Sequence, residues 1–150
     1  MRRSAVIVAS LFVVFFTSGC FWPLIAEMAK DPMGRTAAFE LAQRKYTNAV
    51  RWGDIEEAVQ LVHPDLREEF LSYEGEFDGI RVTDFEVGEM VYGEGQETAT
   101  VRVTYHAYSL ASMHEKKIKE VQRWERLSVK NDWVVRPQLA GLVEQVTDLR

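Results

Sequence analysis

The chain has 150 residues, 18 of them Lys or Arg and 23 Asp or Glu, with 47% hydrophobic residues and a single cysteine. That length suits one domain with its own core, and one cysteine excludes an intrachain disulfide framework or a Cys-rich zinc site. Residues 1–19 hold Arg2 and Arg3 and no acid, so from Cys20 onward 16 bases face 23 acids, 16 − 23 = −7, a charge that disfavours nucleic acid as a partner. Met1-Arg2-Arg3 is a short positive start, Ala5 to Phe16 is an almost unbroken apolar run, and Thr17-Ser18-Gly19 brings small residues up to Cys20. This is the layout of a secretory signal, in which small residues admit a peptidase to the backbone.

With Cys20 as its last element, the segment resembles a bacterial lipoprotein signal. The resemblance implies that the Cys20 sulfur receives a diacylglycerol, that residues 1–19 are removed, and that the new amine is acylated. Thr17 stands where the family usually has Leu, and Phe21 follows the cysteine, so an inner and an outer membrane destination both stay open. A second reading is an uncleaved anchor, because Ser4 to Ala26 holds 26 − 4 + 1 = 23 uncharged positions. A third makes Cys20 an ordinary buried apolar residue. The first two readings put the domain outside the cytoplasm, since the arginine pair stays inside. Residues 20–35, with Pro23, Pro32 and Gly34, read as a lipidated N-terminus and tether, with Phe21 and Trp22 suited to the membrane interface, or else as a partly ordered arm lying on the domain.

Residues 36–150 begin with helical spacing. Phe39, Ala42, Tyr46, Ala49 and Val50 fall on one face of a helix over 36–52, which Gly53 stops. Asp54 and Glu57 form a capping-box-like pair, and Ile55, Ala58, Val59 and Val62 follow at i, i+3, i+4 and i+7. His63-Pro64 ends that helix, Pro64 opens a third, and Leu66, Phe70 and Tyr73 are its expected buried side. Residues 74–79 read as a turn.

Beyond Ile80 the period becomes two. Residues 80–92 predict a somewhat irregular strand, and Gly93-Glu94-Gly95-Gln96 a turn. From Thr98 to Leu110, Ala99, Val101, Val103, Tyr105 and Ala107 alternate with Thr100, Arg102, Thr104, His106 and Tyr108, which predicts a long half-buried strand. Residues 116–130 predict a third long strand whose alternation slips near Gln122–Trp124, as at a bulge. Asn131-Asp132 turns into Trp133-Val134-Val135, Pro137 ends the sheet, and 139–150 reads as a short helix or a loose tail.

Helices followed by an antiparallel meander give an α+β layout, with the helices packed on one sheet face. The stretch from Ala49 to Val59, with Gly53-Asp54, and then Leu61-Val62-His63-Pro64-Asp65, resembles the nuclear-transport-factor-2-like superfamily, with its cystatin-like α+β fold. The resemblance implies a curved antiparallel sheet forming a cone with a pocket at its mouth. The superfamily includes isomerases, dehydratases, transport adaptors and small lipoproteins, so it does not select an activity.

The superfamily's isomerase-like members use a pocket Asp or His as base and a Tyr or protonated acid to hold an oxyanion. In this chain Arg102, His106 and Tyr108 share one strand face, and Asp84, Gln122, Trp124 and Arg126 lie on neighbouring strands, so these residues are the candidate pocket. The strongly apolar odd positions nevertheless make that face the wetter one. His63 reads as a cap before Pro64 and His114 as loop surface. No metal-ligand spacing, nucleophile elbow or phosphate loop is present, so no metal or cofactor is expected. Lys116, Lys117 and Lys119, flanked by Glu115 and Glu120, read as a solvated strand face, and headgroups of anionic lipid would be weakly repelled by the domain as a whole. The functional expectation is a membrane-anchored lipoprotein in the cell or outer membrane. It faces the periplasm and binds an envelope protein or a second copy of itself, and is more a binding module than an enzyme. A carrier or isomerase-like enzyme using the cone pocket is the alternative.

Overall fold

The computed structural model describes residues 33–111 and 114–147. The expected signal peptide, Cys20 and the tether up to residue 32 lie outside the described residues. Among the described residues, no helix is long and apolar enough to cross a membrane. The compact unit starts at Arg35.

Helix α1 (Arg35–Trp52) buries Phe39, Gln43, Tyr46, Thr47 and Ala49, which recur at the spacing of one helical face. Gly53 ends it at φ +71°, a left-handed conformation that suits glycine. Asp54 then caps α2 (Ile55–Leu61), its carboxylate accepting from Glu57 N at 2.9 Å. His63 caps the next turn in the same way, Nδ1 accepting from Asp65 N at 3.3 Å. Pro64–Leu66 forms a 3₁₀ turn before the short helix α3 (Arg67–Ser72), and Glu74–Phe77 a second such turn.

Four antiparallel strands follow in sequential order: β1 (Ile80–Tyr92), β2 (Thr98–Ser109), β3 (Glu115–Arg126) and β4 (Trp133–Arg136). The expected bulge in the third strand is not there. The β2–β3 register runs unbroken from Thr98↔Glu125 to Tyr108↔Glu115, and the irregularities lie in β1, between Val82 and Asp84 and between Val87 and Met90. Gly88 sits inside the second, where a Cβ would stand 3.1 Å from the Arg102 carbonyl oxygen. The third strand also stops at Arg126 rather than Lys130, because Leu127 N pairs with Asp132 O (2.9 Å) and closes a tight turn with Asn131 at φ +61°. Within that turn Ser128 donates to Asp132 Oδ2 at 2.6 Å.

The concave face of the sheet packs on α1 around an aromatic cluster. Phe39 meets Trp124, Trp133 and Tyr92 with ring centroids 5.7, 5.1 and 5.5 Å apart, and Tyr46 meets Trp124 at 5.8 Å. Edge and tilted geometry of this kind adds to the burial term, itself ~1.5–3 kcal/mol for each large apolar side chain. The C-terminal residues resolve as a helix, α4 (Leu139–Thr147), which buries Leu142 and Val146. Its Gln145 amide imitates a strand, accepting from Lys119 N at 2.8 Å and donating to Lys119 O at 3.0 Å, where β3 extends beyond short β4.

Candidate functional site

The two ends of the fold differ. At one end, Trp133 Nε1 donates to Arg35 O (3.1 Å), Arg35 bonds Gly95 O, and Arg126 pairs with Glu97 (2.6 Å), so the start of α1 and two strand turns are tied together. At the other end, reached by the last turn of α1, the cone opens. A cavity of about 240 Å³ lies there, walled by Val50, Phe70, Phe77, Ile80, Ile118 and Leu142. Arg51, Trp52, Glu74, Asp78 and Arg81 stand around it nearer solvent, and Trp52 is 76% exposed. Arg51 is fixed there by a bond to Thr83 O (2.7 Å) and by stacking near Trp52 and Phe85.

The inner wall of the cavity is made by Tyr46 and Tyr105, both almost fully buried. Behind them lies a sealed polar cluster. Tyr105 donates to Glu120 Oε2 at 2.9 Å, Tyr46 reaches Glu120 Oε1 at 3.3 Å, and Gln122 Nε2 donates to Glu120 Oε2 at 2.8 Å. Trp124 Nε1 and Gln43 Nε2 both donate to Gln122 Oε1, and Gln43 also donates to Thr47. Burial pushes the Glu120 carboxyl above its ordinary value, against the opposing pull of the hydrogen bonds from Gln122 and the two tyrosines. Burial, reinforced by Glu120, likewise holds both phenols well above 10.

None of the seven expected pocket residues lines the cavity. Arg102, His106 and Tyr108 point outward from the convex face of the sheet, because the apolar odd positions of β2 take the concave side. His106 Nε2 lies 3.0 Å from Glu86 Oε1 and Nδ1 lies 3.3 Å from Glu115 Oε1. Those two hydrogen bonds raise the imidazole from its ordinary value, and the bond to His106 together with Lys117 lowers Glu86. Trp124 is buried in the core beneath Phe39, and Arg126 is taken up by Glu97 and by Ser128 O at 2.7 Å. Asp84 lies on the exposed edge strand, 3.8 Å from Arg51. The glutamate read as the flank of a solvated lysine cluster, Glu120, is 1% exposed at the heart of the cone. Its signal was present in the strand alternation: Ile118 and Trp124 point inward, so Glu120 and Gln122 between them must do so too. Among the described residues, no cluster of His, Cys, Asp and Glu could hold a metal ion.

No protein-family model and no curated protein matches the chain. Solved structures do. A ketosteroid isomerase-like protein from Erwinia carotovora atroseptica superposes with TM-score 0.50 at 18% identity, over 66% of this chain and 88% of that one. A SEC-C motif containing protein from Rhodopseudomonas palustris gives 0.53 at 12% identity, over 65% and 74%. A protein of unknown function with a cystatin-like fold from Nostoc punctiforme gives 0.45 at 11% identity, over 67% and 84%. Over the shared region the chain has the fold of the ketosteroid isomerase-like protein, helices followed by a curved antiparallel sheet. At such identities the likeness is one of architecture alone.

Proposed function

We propose that this chain is a lipid-anchored, extracytoplasmic binding module whose cone takes up a small, mainly apolar molecule. In this reading residues 1–19 are removed, Cys20 carries the lipid, 20–35 tethers the domain to the cell or outer membrane, and 36–150 faces the periplasmic space. The anchor rests on the order of positive, apolar and small residues ahead of Cys20. The observation that carries the binding role is the cavity itself, with mainly apolar walls and two tyrosines at its inner end. At about 240 Å³ it lies just below the usual range of ligand pockets, roughly 300–1,000 Å³, and so fits a compact molecule.

Binding rather than turnover is supported by where the acids stand. An isomerase or dehydratase needs a base inside the pocket. Glu120 sits behind the phenol rings and does not line the cavity, while the lining carboxyl groups of Glu74 and Asp78 lie exposed near solvent. No lining residue is a histidine.

Two measurements test the reading. Mass spectrometry of membrane-extracted protein is expected to show a chain beginning at acylated Cys20, with Cys20→Ser blocking processing. A chain starting at Met1 would replace the lipoprotein by the uncleaved anchor. For the pocket, N-phenyl-1-naphthylamine should fluoresce with the wild type, and Val50→Trp, which fills the cavity, should keep the circular dichroism spectrum and lose the signal. Equal fluorescence from both proteins would show that the cavity is not the binding site.

A further inference from the structure

We propose that the domain stands on the membrane surface on the tip of its β3–β4 turn, residues 127–132, with the mouth of the cone directed away from the bilayer. The inference rests on the lipid anchor proposed above and adds an interaction surface and an orientation to it.

Three observations carry the proposal. The first is where the chain arrives. Helix α1 begins at Arg35, bonded to Gly95 and Trp133 at the end of the fold that holds the β3–β4 turn, and about 27 Å later it delivers Trp52 to the mouth. From Cys20 to Arg35 is 35 − 20 = 15 residues, at most about 50 Å of extended chain. The link joins the domain at its Arg35 end, so of the two ends this is the one the anchor draws toward the lipid.

The second is the surface that this end presents. Leu127 is 49% and Val129 79% exposed, on a turn held rigid by Ser128 and Asp132, with Lys130 between Val129 and Asn131. Two aliphatic side chains and a lysine on a fixed tip match the interface of a bilayer, apolar below and charged at headgroup level.

The third is charge. Residues 54–78, which form the helical flank and part of the rim of the mouth, carry nine acidic residues against Arg67 alone. Arg35, residues 93–97 and residues 123–136, which make up the opposite end, carry five bases and four acids, 5 − 4 = +1. Arg51, Arg81 and the lysines at the start of β3 (Lys116, Lys117 and Lys119) offset part of the charge at the mouth without reversing it: with Arg67 and Glu115 counted, the mouth end carries six bases and ten acids, 6 − 10 = −4. The repulsion from anionic headgroups is thus concentrated at the mouth, and the end without it is the one to which the tether is joined. Other exposed apolar groups lie elsewhere: Leu41 on α1, Leu71 on α3, Val87 and Val91 along β1, Met33 ahead of α1, Trp52 on the acidic mouth and Leu110 bonded to Gly79 beside it.

Acylation of Cys20 leaves no other thiol in the chain, so single cysteines can be labelled in the full lipidated protein. Val129→Cys and, at the mouth end, Glu76→Cys would each carry an environment-sensitive nitrobenzoxadiazole dye in vesicles of phosphatidylethanolamine and phosphatidylglycerol. The expected result is a blue shift at position 129 and loss of most of its emission to spin-labelled lipid, with position 76 unchanged. Quenching at 76 instead, or at neither position while the protein stays with the vesicles, overturns the orientation and leaves the anchor intact. Protein that is unacylated and washes off the vesicles overturns the anchor and the orientation together.

Discussion

The two faces of the sheet hold the same kinds of group and treat them in opposite ways. On the concave face a carboxyl, two phenols and two amides are sealed beneath aromatic rings, and burial drives Glu120 toward its neutral form. On the convex face Glu86 and Glu115 flank His106 in water, and their hydrogen bonds favour the charged forms of His106 and Glu86. The difference is one of solvent and of partner charge: Glu120 has only neutral donors to set against its lost hydration, whereas Glu86 keeps its hydration and faces an imidazole and Lys117.

That comparison breaks if inner-face substitutions prove as mild as outer-face ones. The largest effect is expected from Trp124→Ala, which removes the ring that joins Phe39, Tyr46 and Gln122, at ~3–5 kcal/mol in denaturant unfolding. Next comes Glu120→Ala, which leaves two buried phenols and an amide without their acceptor and should cost about 2–4 kcal/mol. Glu120→Gln preserves the shape and should stay within ~1 kcal/mol of wild type in acid. Its pH profile sharpens the contrast. The folded value of Glu120 is raised above 4.5, so its contribution is fully present below about 4.5 and is lost as pH rises through the folded value. Wild type should therefore lose stability relative to Glu120→Gln as the pH is raised, and parallel profiles would show an ionised carboxylate inside the cone.

The smallest effect is expected from His106→Ala. Its imidazole is raised above 6.5, so any advantage of wild type is present below that value and fades as pH rises through the folded one. Thermal melts should show a slight wild-type advantage at pH 5.5 and none at pH 9, as for other surface ion pairs. A cost approaching that of Trp124→Ala would mean that the convex cluster is structural.

The fold was far more legible than the site. Caps such as Asp54 with Glu57, and the alternation of Ala99, Val101, Val103 and Tyr105, are local patterns written in residue type, and the structure follows them. The site depends on polar residues that face inward, and residue type there points the wrong way. Glu120 and Gln122 look like surface, so the strand that carries them seems to slip where it is in fact continuous. Arg102, His106 and Tyr108 look like chemistry because polar residues on a strand draw attention, yet the apolar odd positions had already assigned them to the outside. Tyr46 was read as core and is also cavity wall, a double role that only the packing of α1 over β3 reveals.

The Gln145 clamp has a consequence for how occupancy of the cone could be observed. Leu142 is part of the cavity wall, and one turn later on α4 Gln145 covers the Lys119 amide. Any outward swing of the helix that widens the cavity also uncovers that amide to water. A molecule filling the cone gains contact with Leu142 and holds the helix down. The exchange rate of one backbone hydrogen, at Lys119, is therefore a gauge of whether the cone is full, read on the sheet edge rather than at the ligand.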